Sequence, residues 1–139
     1  MTKLTKASKL IATHSFTVFP QDLNYAGSLF GGKVMAEMDI AGVKVIRRAL
    51  YGTEADGCVT ASVDRIDFHK PAFLGDLIIM TSEIKSIGRS SIQVRITVVR
   101  ESTQGQTEEI CAANFTFVAI KDKKPYKHNL SFEKLEISE

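Results

Sequence analysis

The sequence predicts an α+β domain in which a curved antiparallel sheet of about five strands wraps one long central helix. Three observations carry that expectation. Residues 31–50 hold the one strong helical pattern in the chain. The segments around it are rich in β-branched residues, alternate apolar with polar side chains and are joined by short turns. One helix cannot cover both faces of a flat sheet of that size, so the sheet must curl around it. At 139 residues the chain has the length of one domain with a sizeable core. It divides into an N-terminal extension (1–12), the domain proper (13–122) and a C-terminal tail (123–139).

Taken in order, residues 13–19 (Thr-His-Ser-Phe-Thr-Val-Phe) read as a first strand, stopped by Pro20. Residues 20–30 form a loop. The helix follows, with Met35, Met38, Ala41, Gly42, Val45, Ile46 and Ala49 on a wide apolar face. Lys33, Glu37, Lys44 and Arg48 lie on the other side in i, i+4 pairs, so that side reads as solvated. Gly52 is suited to end the helix in the left-handed conformation.

Residues 58–68 read as the next strand. Its apolar set switches from Val59, Ala61 and Val63 to Ile66 and Phe68, which implies a bulge or a strong bend. Pro71, Gly75 and Asp76 turn the chain into a strand over 77–87, and Gly88-Arg89-Ser90 makes a tight hairpin. Residues 91–100 alternate cleanly, with Ile92, Val94, Ile96 and Val98 on one face. A polar turn at 103–106 leads into a last strand over 110–120, and the charged residues 121–139 read as irregular. The free edge of such a sheet must be paired or blocked, which a homodimer with a continuous sheet would do.

The composition, 44% apolar and 24% charged, is that of an ordinary globular domain, and a net charge of +2 is too small to imply nucleic acid. No run approaches the ~18 apolar residues of a membrane span. The first twelve residues hold three lysines but no apolar run of the signal-peptide kind, so a cytoplasmic protein is expected. Cys58 and Cys111 are far apart and lack a partner at metal-ligand spacing, so they read as small buried thiols, and no metal site is expected.

The candidate chemistry lies at the loop and the helix start. Asn24 sits in the loop, Gly31 and Gly32 open the helix, and Asp39 follows seven residues past the second glycine. Helix-start N–H groups are unpaired, and the helix dipole favours negative charge there, so a carbonyl oxygen against Gly31 and Gly32 would be polarised. The two glycines would also let the backbone approach a ligand closely; a plain turn is the alternative. Asp39, with Met35 at i−4 and Val43 at i+4, either leans toward the apolar side, where desolvation would raise its pKa, or faces solvent at the edge of the stripe. Asn24 alone reads as a turn former. Gly88-Arg89-Ser90-Ser91 gathers one cation and two hydroxyls, and Lys121, Lys123, Lys124 and Lys127 follow the last strand. These two groups could meet at one rim and hold phosphates, or could be solvated surface charge. No nucleophile elbow, phosphate-binding loop or metal cluster is present in the sequence.

Several of these segments in this order resemble a known family. Asn24-x-Ala26-Gly27-x-x-x-Gly31-Gly32 followed by Met38-Asp39 is similar to the hotdog-fold acyl-CoA thioesterases of the YciA and cytosolic acyl-CoA hydrolase type. Val59-Thr60-Ala61-Ser62-Val63-Asp64 with Phe68-x-x-Pro71 and Gly75-Asp76, Gly88-Arg89-Ser90-Ser91, and Phe115–Ile120 with Lys124-Pro125 extend the resemblance over residues 13–126. It implies a single hotdog domain that hydrolyses acyl-CoA to free CoA and a carboxylic acid, with no cofactor beyond the substrate's own CoA. Asp39 would be the general base or, less readily, a nucleophile. Asn24 would place the water or the carbonyl, and the Gly31 and Gly32 amides would hold the oxyanion. Gly88, Arg89, Ser90, Ser91 and Lys121 would bind CoA. The resemblance also implies that Asn24 and Asp39 of one site come from different subunits, in a homodimer at least and a trimer of dimers typically, without nucleic acid or membrane as partner. A non-catalytic acyl-CoA binding module is the rival reading, and a dehydratase a weaker one, since the helix and its loop lack a histidine.

Overall fold

A computed structural model of the protein describes residues 9–136. Most of the expected N-terminal extension and the last three residues lie outside that range. The elements run β1 (Ile11–Thr17), a short 3-10 turn (Pro20–Asp22), α1 (Gly31–Leu50), β2 (Gly57–Val63), β3 (Leu77–Ile87), β4 (Ser91–Glu101), β5 (Thr107–Lys121), β6 (Lys124–Pro125) and α2 (Phe132–Glu136). The sheet is antiparallel in the order β1-β3-β4-β5-β2, with β6 added to β5. The expected curled sheet around one long helix is therefore present.

Period-two alternation builds the floor beneath α1. Ile78, Met80 and Ile84 of β3, Ile92, Val94, Ile96 and Val98 of β4, and Ala113, Phe115, Phe117 and Ala119 of β5 are all buried. From above, α1 presents Val34, Met38, Ala41, Val45, Ile46 and Ala49 to this floor. Gly42 lets helix and sheet approach closely: a Cβ there would fall 2.5 Å from the Phe117 ring. Inside the core, the buried Ser82 hydroxyl lies 2.9 Å from the Ala41 carbonyl and 3.3 Å from that of Ala12, joining α1, β1 and β3.

Several boundaries differ from expectation for local reasons. β1 is shifted toward the N-terminus by two residues, and the Val18 N–H, bonded to Asp76 O at 2.9 Å, carries its register with β3 one pair further. The expected bulge in the second strand lies at Thr60/Ser62, and the strand ends at Val63 rather than 68. There Asp64 takes over: its carboxylate accepts from the Asn114 N–H and from Asn114 Nδ2, each at 2.8 Å.

The tail is ordered rather than irregular. Asp122 and Lys123 turn the chain at φ 53° and 65° into β6, and His128 and Leu135 are buried. Met35 was expected on the buried face of α1, yet it is 44% exposed, with Ile40 beside that face 48% exposed. The charged side of α1 is not simply solvated either. His14 points inward from β1, its Nε2 lies 2.5 Å from Glu37 Oε2, and its Nδ1 lies 2.8 Å from Lys44 Nζ. Lys33 adds an ion pair to Glu37 at 3.0 Å, so a half-buried polar seam lines the β1 side of the helix. Among the described residues, no helix is long and apolar enough to cross a membrane.

Candidate active site

The start of α1 is built to donate. Its cap, Phe30, offers no side-chain oxygen, and the N–H groups of Gly31 and Gly32 have no acceptor among the described residues. At Gly32 a Cβ would meet the Phe30 ring at 2.4 Å, so a side chain there would have to displace that exposed ring. At Gly31 the same atom would only touch Phe68, at 3.6 Å. Gly31 lines a cleft of about 370 Å³ whose walls also include Asn24, Phe68, His69 and Lys70; Gly32 is the next residue along the helix.

Asn24 and Gly31 are thus brought together as expected, but the Asn24 side chain is mostly occupied. Its Oδ1 accepts from the N–H groups of Ala26 (2.9 Å) and Ser28 (3.1 Å), and its Nδ2 donates to Ser28 Oγ (3.1 Å). Asn24 therefore holds the loop in shape and keeps one Nδ2 proton to offer.

Asp39 lies elsewhere. It is eight residues along α1 from Gly31, about 12 Å at helical rise. It lines a second cavity, also about 370 Å³, with Met35, Thr60, Val63, Ile66 and Phe115. One carboxylate oxygen, Oδ1, accepts the Thr60 hydroxyl proton, and that bond leaves Oδ2 unclaimed. Cys58, also on β2, has its thiol pushed up to about 11 by burial and then by the negative charge of Asp39. Of the bulky residues near the loop and helix that could end an acyl tunnel, Met38 and Leu29 are buried in the core and Tyr25 is fully exposed, which leaves Met35 in the Asp39 cavity.

The hairpin and strand exit read as a possible phosphate rim meet near the far end of α1. The Ser90 carbonyl accepts from the Ala119 N–H at 2.8 Å, which brings the Gly88–Ser91 hairpin against the end of β5 two residues before Lys121. Lys121 in turn pairs with Glu54, just past the helix C-terminus, at 3.4 Å. A 20-residue helix is about 30 Å long, so within one chain Arg89 and Lys121 are remote from Asn24 and Gly31.

Thr60 and Lys70 were not singled out as site residues, and Phe68 was read only as part of a strand face and of the family resemblance. A hydroxyl facing an acid across two elements leaves no local signal. The polar pair His69-Lys70 before Pro71 was the readable hint, and both residues line the Gly31 cleft. Among the described residues, no group of three His, Cys, Asp or Glu is arranged to hold a metal ion.

Comparison with known proteins agrees with this architecture. Residues 26–106, more than half of the chain, match the family model described as the thioesterase superfamily. The uncharacterized acyl-CoA thioester hydrolase YkhA of Bacillus subtilis is 37% identical over 121 residues, covering 86% of this chain and 66% of its own length. The acyl-CoA thioester hydrolase YciA of Salmonella typhimurium is 32% identical over 76% of this chain and 80% of its own. Among solved structures, the hexameric thioesterase of Yersinia pestis superposes with a TM-score of 0.78 at 32% identity, over 85% of this chain and 94% of that one. With the family model matched over most of the α1–β4 region and the same fold in a solved thioesterase, this chain belongs to the thioesterase superfamily.

Proposed function

We propose that the protein hydrolyses acyl-CoA thioesters at sites formed between two copies of the chain, with Asp39 as general base. One observation carries the reading: the base and the oxyanion donors occupy separate cavities in one chain, and both cavities border uncovered apolar surface. Met35, Ile40, Val59, Val63 and Phe68 are each 44–48% exposed, beside the edge strand β2, which pairs with β5 on one side and with no strand among the described residues on the other. A second copy, running antiparallel, would cover this band and pair the edge. It would also bring its own Asp39 toward the Gly31 cleft, and its own Arg89 end with it. The relatives named as acyl-CoA thioester hydrolases support the substrate class, and the hexameric Yersinia relative supports assembly as a trimer of such dimers.

In this reading, Asp39 Oδ2 takes a proton from water while the water oxygen attacks the thioester carbonyl carbon. The Gly31 and Gly32 N–H groups hold the oxyanion, a type of donation worth ~3 kcal/mol per donor. The spare Nδ2 proton of Asn24 directs the water or the carbonyl. The intermediate collapses with cleavage of the C–S bond, and the proton that Asp39 received passes to the CoA sulfur, which restores the carboxylate. The Gly88–Ser91 hairpin and Lys121 hold the phosphates of the same CoA.

Free thiol released from a panel running from acetyl- to palmitoyl-CoA tests the reading. Cys58 and Cys111 do not obscure the signal, because burial holds both thiols at a pKa of about 11. Steady release is expected for at least part of the panel. Thermal stabilisation by the whole panel with no release would make the protein a binding module instead.

A further inference from the structure

His128 lies in the tail and is 4% exposed. Its Nδ1 lies 2.9 Å from the Leu130 N–H, which can only donate, so Nδ1 carries no proton. The ring proton is then on Nε2, which faces the Ser91 carbonyl at 3.3 Å. The His128 backbone N–H meanwhile donates to the Arg89 carbonyl at 3.3 Å. Ser91 O also closes the hairpin by accepting from the Gly88 N–H at 2.9 Å, and Ser90 O is bonded to Ala119.

All three carbonyls from Arg89 to Ser91 are therefore engaged by the protein. The N–H groups of Arg89 and Ser90 have no acceptor among the described residues, and neither does the exposed Arg89 side chain. A turn whose acceptors are tied down and whose donors are free is suited to an anion. Two of the three carbonyls, those of Arg89 and Ser91, are held by the one tail residue His128, and Leu135 further along the tail is buried.

We propose that His128 is a positioning residue for the nucleotide end of the substrate: it straps the tail across the Gly88–Ser91 hairpin and holds that hairpin with its donors toward the CoA phosphates. The proposal rests on the reading of this hairpin as the CoA phosphate site. The remaining chemistry at Asp39 and Gly31 does not depend on the strap.

The test compares one acyl group carried on CoA and on pantetheine, which keeps the thioester and lacks the nucleotide. His128→Leu removes both ring bonds. It is expected to raise KM for the CoA ester about tenfold, equivalent to one bond of ~1.4 kcal/mol, with a smaller effect on turnover at saturation. KM for the pantetheine ester should hardly move. His128→Gln, which can still donate to Ser91 O, should recover most of the loss. His128→Asn, which keeps only the acceptor toward Leu130, should not. Equal losses on both esters, or no loss on the CoA ester, would overturn the strap. If His128→Leu does not fold, the Gln and Asn pair carries the same comparison through their difference. Arg89→Ala separates the two layers of the argument. If it fails to discriminate between the esters, the phosphate site itself is wrong. If it discriminates and the His128 variants do not, only the strap is wrong.

Discussion

Thr60 on β2 donates its hydroxyl proton to Asp39 Oδ1 on α1, which ties the acid to the sheet edge and leaves the second carboxylate oxygen unclaimed by that bond. The acid is thus oriented from a strand that has no neighbour on its far side among the described residues. Asp39→Asn should lower turnover at least ~100-fold, since a general base commonly contributes that much, while leaving the oligomer intact. Thr60→Val removes an orienting bond to a charged group and should lower turnover by about tenfold. Near wild-type turnover in folded Asp39→Asn, measured by thiol release, would remove Asp39 from the mechanism.

The separation of Asn24 and Gly31 from Asp39 leads to a mixing experiment. Chains carrying Asn24→Ala and chains carrying Asp39→Asn should each be poorly active. Co-assembled, they should regain activity, because some sites then unite the intact Asn24 of one chain with the intact Asp39 of the other. Mixed dimers demonstrated by differential tags, but without regained activity, would mean that each site is completed within one chain.

Packing gives a third prediction. Replacing a glycine by alanine inside an exposed helix usually gains up to ~1 kcal/mol. At Gly42 the new methyl would meet the fully buried Phe117 ring at 2.5 Å and Ile96 at 3.2 Å, with no room to relax. Overpacking of ~1–3 kcal/mol outweighs the propensity gain, so Gly42→Ala should unfold at a lower denaturant midpoint. An unchanged or raised midpoint would show that the helix can lift off the floor freely.

The polar seam sets an acid limit on stability. Burial of the Glu37 carboxylate acts to raise its pKa, but the bonds from His14 and Lys33 more than reverse this and hold it below the usual value of 4.5. The stabilisation is therefore present above the unfolded value and is lost as pH falls through the lower folded one. Lys33 is held above 10.5, first by its bond to Glu37, so its contribution is present below 10.5 and fades as pH rises through the raised value. Glu37→Gln should flatten the acid side of a plot of Tm against pH. An acid limb identical to wild type would assign it to other carboxylates.

How much of this could be read from the residues alone differs by element. The helix and the β3–β4 hairpin were legible because periodicity and a Gly-Arg-Ser turn are local signals. The β5–β6 turn was not, because Asp122 and Lys123 adopt positive φ without a glycine to announce it. The tail looked irregular since the burial of His128 and Leu135 depends on a hairpin some 40 residues earlier in the chain. The seam was read as solvated because its partner, His14, comes from a distant strand. At the site, residue types and spacing picked out Asn24, Gly31, Gly32 and Asp39. That two of these face one cavity and Asp39 another is a property of the folded helix, and Met35 looked like core because it is apolar and one helical turn from Met38, although it lies exposed beside the Asp39 cavity.

Gly31 and Asp39 ride on one unbroken helix. In the proposed pairing, each helix acts as a rigid rod whose start serves one site and whose middle serves the other. A ligand that draws Gly31 toward its carbonyl in the first site necessarily moves the carboxylate of the second. The two sites of a dimer are then mechanically linked without any dedicated regulatory domain. Whether occupancy of one site helps or hinders its twin would be decided by the tilt of two helices over a shared floor.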